Sequence, residues 1–112
     1  MIQNSLFLNN NVDKYAAIYG AVSKIKVKNT KVAFNKIIDS GMIGIEGLSP
    51  SEIIIENVQF LNNTALTHCS GFFVEESKAS FTNIIFLGNK AYGSAAICIE
   101  NDASFTCENC TF

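Results

Sequence analysis

Residues 53–63 read Ile53-Ile54-Ile55-Glu56-Asn57-Val58-Gln59-Phe60-Leu61-Asn62-Asn63. The skeleton of this segment, an apolar residue followed by Asn-x-x-Phe-x-x-Asn, recurs along the whole chain. Its first Asn falls at Asn4, Asn29, Asn57, Asn83 and Asn109, which gives spacings of 25, 28, 26 and 26 residues. A period of this length is typical of a solenoid, in which each repeat buries its apolar face against its neighbours.

Three further columns share this period. An apolar residue stands two positions before each first Asn, at Ile2, Val27, Ile55, Phe81 and Cys107. Another stands three positions after it, at Phe7, Val32, Phe60, Phe86 and Phe112, and a second Asn column follows at Asn10, Asn35, Asn63 and Asn89. Asn side chains can hydrogen-bond along a stack, and Asn tolerates the left-handed backbone of a tight corner. We therefore expect Asn ladders beside a Phe stack, with Asn109 turned inward.

The pattern inside one repeat indicates strands. Ile25-Lys26-Val27-Lys28 alternates at period two, and no segment sustains a helical apolar pattern. About 26 residues, rising ~3.3 Å each in strands, suit one coil of a three-sided parallel β-helix. The prediction is an all-β, single-domain solenoid over residues 1–112, with about four coils starting near residues 4, 29, 57 and 83 and a partial fifth from 109. The two extra residues of the 28-residue coil are expected in a loop at 47–51.

The charges argue for a solvated sheet face. The net charge is −2, and charged residues make up only 16% of the chain, so neither disorder nor a polyanion-binding role is indicated. Stacking adjacent coils would place Lys24 beside Glu52 and Lys78, and Lys28 beside Glu56. We expect these residues to form ion pairs, which explains the basic run at 24–31 without a nucleic-acid partner.

The repeat resembles that of the polymorphic outer membrane protein family. Its hallmark Phe-x-x-Asn is matched at Phe7/Asn10, Phe60/Asn63 and Phe86/Asn89, and conservatively at Val32/Asn35. Its second hallmark, Gly-Gly-Ala-Ile, is similar to Ala16-Ala17-Ile18, Gly41-Met42-Ile43, Gly71-Phe72-Phe73 and Ala95-Ala96-Ile97. The resemblance implies the right-handed β-helix of the pectin-lyase-like superfamily. It also implies a surface-exposed or secreted, adhesin-like scaffold rather than an enzyme.

The two ends of the sequence break the motif. Met1 lies inside one copy of the motif, and Phe112 occupies the Phe position of another copy. We therefore expect an uncapped fragment of a longer repeat protein. Uncapped ends would pair with flanking coils of the same chain or self-associate edge to edge. No signal-peptide pattern is present, and the longest span without charges, residues 57–74, is too polar to cross a bilayer. We expect an extracellular or cell-surface location, with any signal and anchor outside this sequence.

The cysteines all lie in the last two coils, at Cys69, Cys98, Cys107 and Cys110. The last two form a C-x-x-C motif, but neither a second Cys or His pair nor a strand-to-helix context accompanies it. Because Cys107 occupies an apolar column, a buried thiol is the favoured interpretation, ahead of a disulfide and then a metal site. His68, the only histidine, is expected in a loop.

Acidic residues supply the remaining candidate chemistry. Carbohydrate-active β-helix enzymes use clustered Asp residues, often with Arg, whereas this chain has no Arg and only Asp13, Asp39 and Asp102. A second group falls near one corner of successive coils and could bind a cation or a sugar, although a solvated turn is favoured: Glu46, Glu75, Glu76, Glu100 and Asp102. We call this group the acidic corner, and we assign no catalytic, cofactor-binding or metal-binding residue.

The sequence thus favours a non-enzymatic surface scaffold or adhesin-like stalk whose partner is a glycan or a host or cell-surface protein. The alternative is a fragment of a polysaccharide lyase or hydrolase whose catalytic residues lie outside this sequence. Two glycosylation sequons, at Asn62-Asn63-Thr64 and Asn109-Cys110-Thr111, would matter only in a eukaryotic secretory route. Of the two, Asn62 is the expected acceptor.

Overall fold

Short alternating segments rich in Val, Ile and Phe form strands throughout the computed structural model of the protein. The structure describes residues 1–13, 18–20, 24–38, 43–66, 71–94, 96–101 and 103–112. Within these ranges the regular structure is entirely β-strand. The strands are β1 (Ile2–Gln3), β2 (Leu6–Leu8), β3 (Asn11–Val12), β4 (Ile18–Gly20), β5 (Lys24–Ala33), β6 (Lys36–Ile37), β7 (Ile43–Leu61), β8 (Thr64–Ala65), β9 (Phe72–Leu87), β10 (Ile97–Glu100) and β11 (Ser104–Glu108).

The strands pair in parallel, each with the strand one repeat further along the chain. The larger sheet has the order β1-β5-β7-β9-β10, with β2 paired to β5, β4 to β7 and β11 to β9, and a smaller sheet has the order β3-β6-β8. Successive Cα partners follow the column predicted from the sequence: Ile2, Val27, Ile55, Phe81 and Cys107. This register confirms the column alignment and an all-β fold of parallel strands.

The predicted irregularity between residues 46 and 51 is confirmed. Glu46 pairs with Glu75 and Ser51 with Ser77, so five steps in β7 lie opposite two in β9, and the bulge holds three more residues than β9 does. The last repeat carries one extra residue of its own, since four steps from Glu100 to Ser104 lie opposite three in β9. Compared with that last repeat, the surplus in β7 is therefore the two residues that the sequence predicted.

Two sets of corners have a left-handed backbone. The first set coincides with the first Asn column, as the sequence predicted, whereas the second lies one residue before the second Asn column, so the left-handed backbone expected of that column itself is wrong. The first set has φ between 49° and 55°, at Asn4, Asn29, Asn57, Asn83 and Asn109. The second set follows five residues later, at Asn9, Phe34, Asn62 and Gly88. Asn and Gly enter this region at little cost, whereas a residue with a bulky side chain is strained there. Phe34, with φ of 56°, is therefore the one poorly suited residue at these corners.

The core lies between the strands of the middle repeats and consists of stacked apolar columns. Phe60 and Phe86 stack with ring centroids 4.9 Å apart, and Phe86 and Phe112 with centroids 5.3 Å apart, as the Phe column predicted. The largest fully buried side chains are Phe60, Phe81, Ile37, Ile53, Ile55, Ile84, Val27 and Val32. Burial of each such side chain contributes about 1.5–3 kcal/mol relative to exposure.

Candidate functional site: an exposed amide ladder

The second Asn column forms a buried ladder that holds successive repeats together. Asn35 and Asn63 have almost no exposed surface. The Asn63 side-chain oxygen accepts hydrogen bonds from the backbone N–H and the side-chain amide of Asn35, both at 3.1 Å. Its Nδ2 donates to the Val32 carbonyl at 2.9 Å and to Asn89 Oδ1 at 3.0 Å. All four hydrogen-bonding positions of this amide are therefore used, and we call this column the inner ladder.

The first Asn column forms a second ladder, on the outside of the molecule, which we call the outer ladder. In it, Nδ2 of each Asn donates to Oδ1 of the Asn one repeat earlier, at distances between 3.0 and 3.2 Å, along Asn4, Asn29, Asn57, Asn83 and Asn109. All five residues are exposed. The expectation that Asn109 turns inward is therefore wrong. In a regular strand, Asn57 would lie on the same side as Ile55. The left-handed backbone at Asn57 shifts this alternation by one residue, so that Val58 rather than Asn57 is buried in the core.

The outer ladder borders an open groove, the amide groove. This groove has a volume of about 380 Å³ and is lined by Asn4, Ser5, Asn29, Thr30, Lys31, Asn57 and Gln59. A primary amide has two N–H donors and two acceptor lone pairs. Asn29 donates one hydrogen bond within the ladder and accepts one, which leaves one donor and one acceptor for a ligand. The same pair of groups recurs at each strand spacing, ~4.8 Å along the stack.

Three lysines of the basic run pair with glutamates of the next repeat, as the sequence predicted for Lys24 and Lys28. Lys24 Nζ lies 2.8 Å from a carboxylate oxygen of Glu52. Glu56 pairs with Lys28 and, at 3.7 Å, with Lys26. The hydrogen bond with Lys28 lowers the pKa of the Glu56 carboxyl below its ordinary value of 4.5 and raises the pKa of Lys28 above 10.5. These residues form a charge-paired sheet face beside the outer ladder.

The acidic corner is aligned in the backbone register. Glu46 pairs with Glu75, and Glu75 pairs with Glu100. Glu76 follows within β9, whereas Asp102 lies outside the described residues. Within the described ranges, no three His, Cys, Asp or Glu residues are grouped as a metal site requires. Asp13 is exposed, and its expected neighbour Asp39 lies outside the described residues, as does His68.

Cys107 and Cys110 form a disulfide, so the favoured interpretation of Cys107 as a buried thiol is wrong. The Asn109 corner between them brings their Cα atoms to 5.9 Å, within the range that a disulfide spans. Both residues pack against the core. The bond therefore ties β11 to the chain beyond the last corner of the outer ladder. Cys98 is half-buried in β10, and Cys69 lies outside the described residues.

Comparisons with family models, with curated proteins and with solved structures found no match. In the part of the chain that the structure describes, no helix has the length and apolarity needed to span a membrane. The amide groove was not predicted from the sequence, although the columns that build it were. The groove could have been predicted from the shift in the inward and outward alternation of side chains that occurs at each Asn corner.

Proposed function

We propose that these repeats wind as a right-handed parallel β-helix and serve as a non-enzymatic scaffold in an extracellular or cell-surface stalk. The pairing of each strand with the strand one repeat away, kept on both sides of the bulge at 46–51, supports this architecture. The Cys107–Cys110 disulfide supports an oxidising location, because disulfides persist mainly outside the cytosol. The resemblance to the polymorphic outer membrane protein repeat implies the same setting.

The outer ladder is the proposed ligand-binding surface of the stalk. Its amides are held rigidly by one another, so the free donor and acceptor of each rung lose little further freedom when a ligand binds. Neutral hydroxyl groups match such pairs, since a hydroxyl both donates and accepts. The ligand class is therefore a neutral glycan lying along the amide groove. Aromatic side chains are absent from the groove lining, which indicates weak binding that gains strength from repetition.

Binding of the purified chain to an array of neutral and acidic glycans tests this proposal. The variants Asn29→Gly and Asn57→Gly remove rungs while keeping the left-handed corner, because Gly adopts positive φ freely. We expect neutral-glycan binding that each variant weakens severalfold. The control Lys36→Ala changes an exposed residue outside the groove and should leave binding unchanged.

The same array distinguishes the other surfaces. Binding that requires calcium and is lost in Glu75→Gln and Glu100→Gln would move the site to the acidic corner. Cleavage of a bound polysaccharide would instead favour the alternative of a carbohydrate-active enzyme. A folded chain that binds no glycan would contradict the glycan assignment and leave these repeats as a spacer.

A further inference from the structure

The second set of corners brings an exposed aromatic ring next to an exposed Asn. Phe34 has φ of 56° and is 56% exposed, although Asn or Gly occupies the same corner in the other described repeats. Burial does not offset the strain of this ring, and strained residues cluster at functional sites. The Phe34 backbone N–H donates to the Leu61 carbonyl at 3.0 Å, so Phe34 lies about one strand spacing, ~4.8 Å, from the Asn62 corner of the next repeat.

The side-chain nitrogen of Asn62 is available in the sequon Asn62-Asn63-Thr64. Asn62 is exposed, and among the described residues its Nδ2 donates no hydrogen bond. Its oxygen is directed toward Gly88 of the following repeat, since a methyl group built on Gly88 would lie 2.2 Å from Asn62 Oδ1. The nitrogen of the same amide is therefore directed away from Gly88, and Phe34 lies on that side of the stack.

The other sequon, Asn109-Cys110-Thr111, does not offer a free nitrogen. Asn109 Nδ2 donates to Asn83 Oδ1 at 3.2 Å in the outer ladder. Cys110 is held in the disulfide, and the backbone of Thr111 is hydrogen-bonded to β9 through both its N–H and its carbonyl. The two sequons thus differ in whether the atom that would carry a sugar is already in use.

We propose that Asn62 is an N-glycosylation site and that the Phe34 ring is the platform on which its first sugar packs. The transfer forms a bond between Asn62 Nδ2 and C1 of the sugar. It breaks the bond between C1 and the diphosphate of a lipid-linked oligosaccharide, and one amide proton leaves with the diphosphate. The apolar face of an N-acetylglucosamine ring packs on an aromatic ring, and Phe34 is one strand spacing away. The modification requires a secretory route that contains an oligosaccharyltransferase.

A glycan at this position also covers exposed apolar surface. The Asn62 backbone N–H donates to the Leu87 carbonyl at 2.9 Å, and Leu87 is 64% exposed. Asn62 therefore lies between two exposed apolar residues, Phe34 on one side and Leu87 on the other. Removal of such surface from water is favourable. None of these residues lines the amide groove, so the site is separate from the proposed glycan-binding surface.

Mass spectrometry of the folded chain, secreted from eukaryotic cells behind a signal peptide, tests the attachment. We expect one N-glycan at Asn62 and none at Asn109. Asn62→Gln and Thr64→Val should each abolish the glycan, because the first removes the acceptor and the second removes the sequon hydroxyl while keeping a branched side chain. Asn109→Gln is the matched control and should keep it. A folded chain with Asn62 unmodified, or with Asn109 modified, would overturn the assignment.

Nuclear magnetic resonance tests the platform, on the chain trimmed by an endoglycosidase to a single N-acetylglucosamine. The ring current of Phe34 should shift the sugar protons upfield. This shift should vanish in Phe34→Gly, which keeps the corner because Gly adopts positive φ freely, and persist in the exposed control Lys36→Ala. Unshifted sugar protons in the unaltered chain would overturn the role of Phe34. Neither measurement uses an added glycan, so a failure of the amide-groove proposal would not affect either result.

Discussion

Replacement of Asn63 by Ala should be among the most damaging changes available in this chain. Asn63 is fully buried, and its side chain makes four hydrogen bonds to Asn35, Val32 and Asn89. Truncation removes the hydrogen-bond partners of three groups inside the core: the backbone N–H of Asn35, the side-chain amide of Asn35 and the carbonyl of Val32. Each net hydrogen bond contributes about 1 kcal/mol, and each buried group left unsatisfied costs about 1–3 kcal/mol. We therefore expect a loss of about 3–6 kcal/mol, a large part of the 5–15 kcal/mol typical of a domain.

Asn57→Gly in the same repeat is the matched control. Asn57 makes two side-chain hydrogen bonds of similar length, but it does so at the exposed outer ladder, where water can replace the lost partners. Removal of the Asn57 side chain should therefore lower the free energy of unfolding by about 1 kcal/mol or less. Urea unfolding followed by circular dichroism measures both changes as differences in the free energy of unfolding. If Asn63→Ala proved no more destabilising than Asn57→Gly, the assignment of the inner ladder as the main polar support of the core would be refuted.

Three further predictions concern the corner, the charges and the disulfide. Phe34→Gly should raise the free energy of unfolding by about 1 kcal/mol, since it relieves a left-handed φ at an exposed Phe, and thermal unfolding will show whether it does. The ion pair of Glu56 with Lys28 should stabilise the fold between about pH 4.5 and 10.5. Its contribution disappears as pH falls through the lowered pKa of Glu56 or rises through the raised pKa of Lys28, so Glu56→Gln should lose stability relative to wild type only inside that window. Removal of the disulfide by Cys107→Ser with Cys110→Ser should cost up to about 2 kcal/mol, as expected for so short a loop; hydrogen exchange should rise at 104–112 and not at 53–60.

The strand register could be predicted because one period carries several independent columns. A slip by one residue would move Ile55 out of the core and separate Lys28 from Glu56, so the apolar and charged columns restrict the register together. The site was harder to predict. Alternation alone puts Asn57 on the same side as Ile55, and only the left-handed corner turns it outward. The Cys107–Cys110 bond depends on the same corner, because the distance between the two Cα atoms is set by the path of the backbone around Asn109.

The two ladders also differ in direction. In the outer ladder, Asn29 donates its amide N–H to Asn4 in the preceding repeat. In the inner ladder, Asn10 donates to Asn35 in the following repeat. Aligned amide dipoles add along a stack as peptide dipoles do along a helix, so either ladder alone would build up an axial dipole with each added repeat. Because the two ladders oppose one another, their dipoles largely cancel. Further repeats can therefore be added without building up a net axial dipole moment from the side-chain amides, which suits an architecture that extends by repetition.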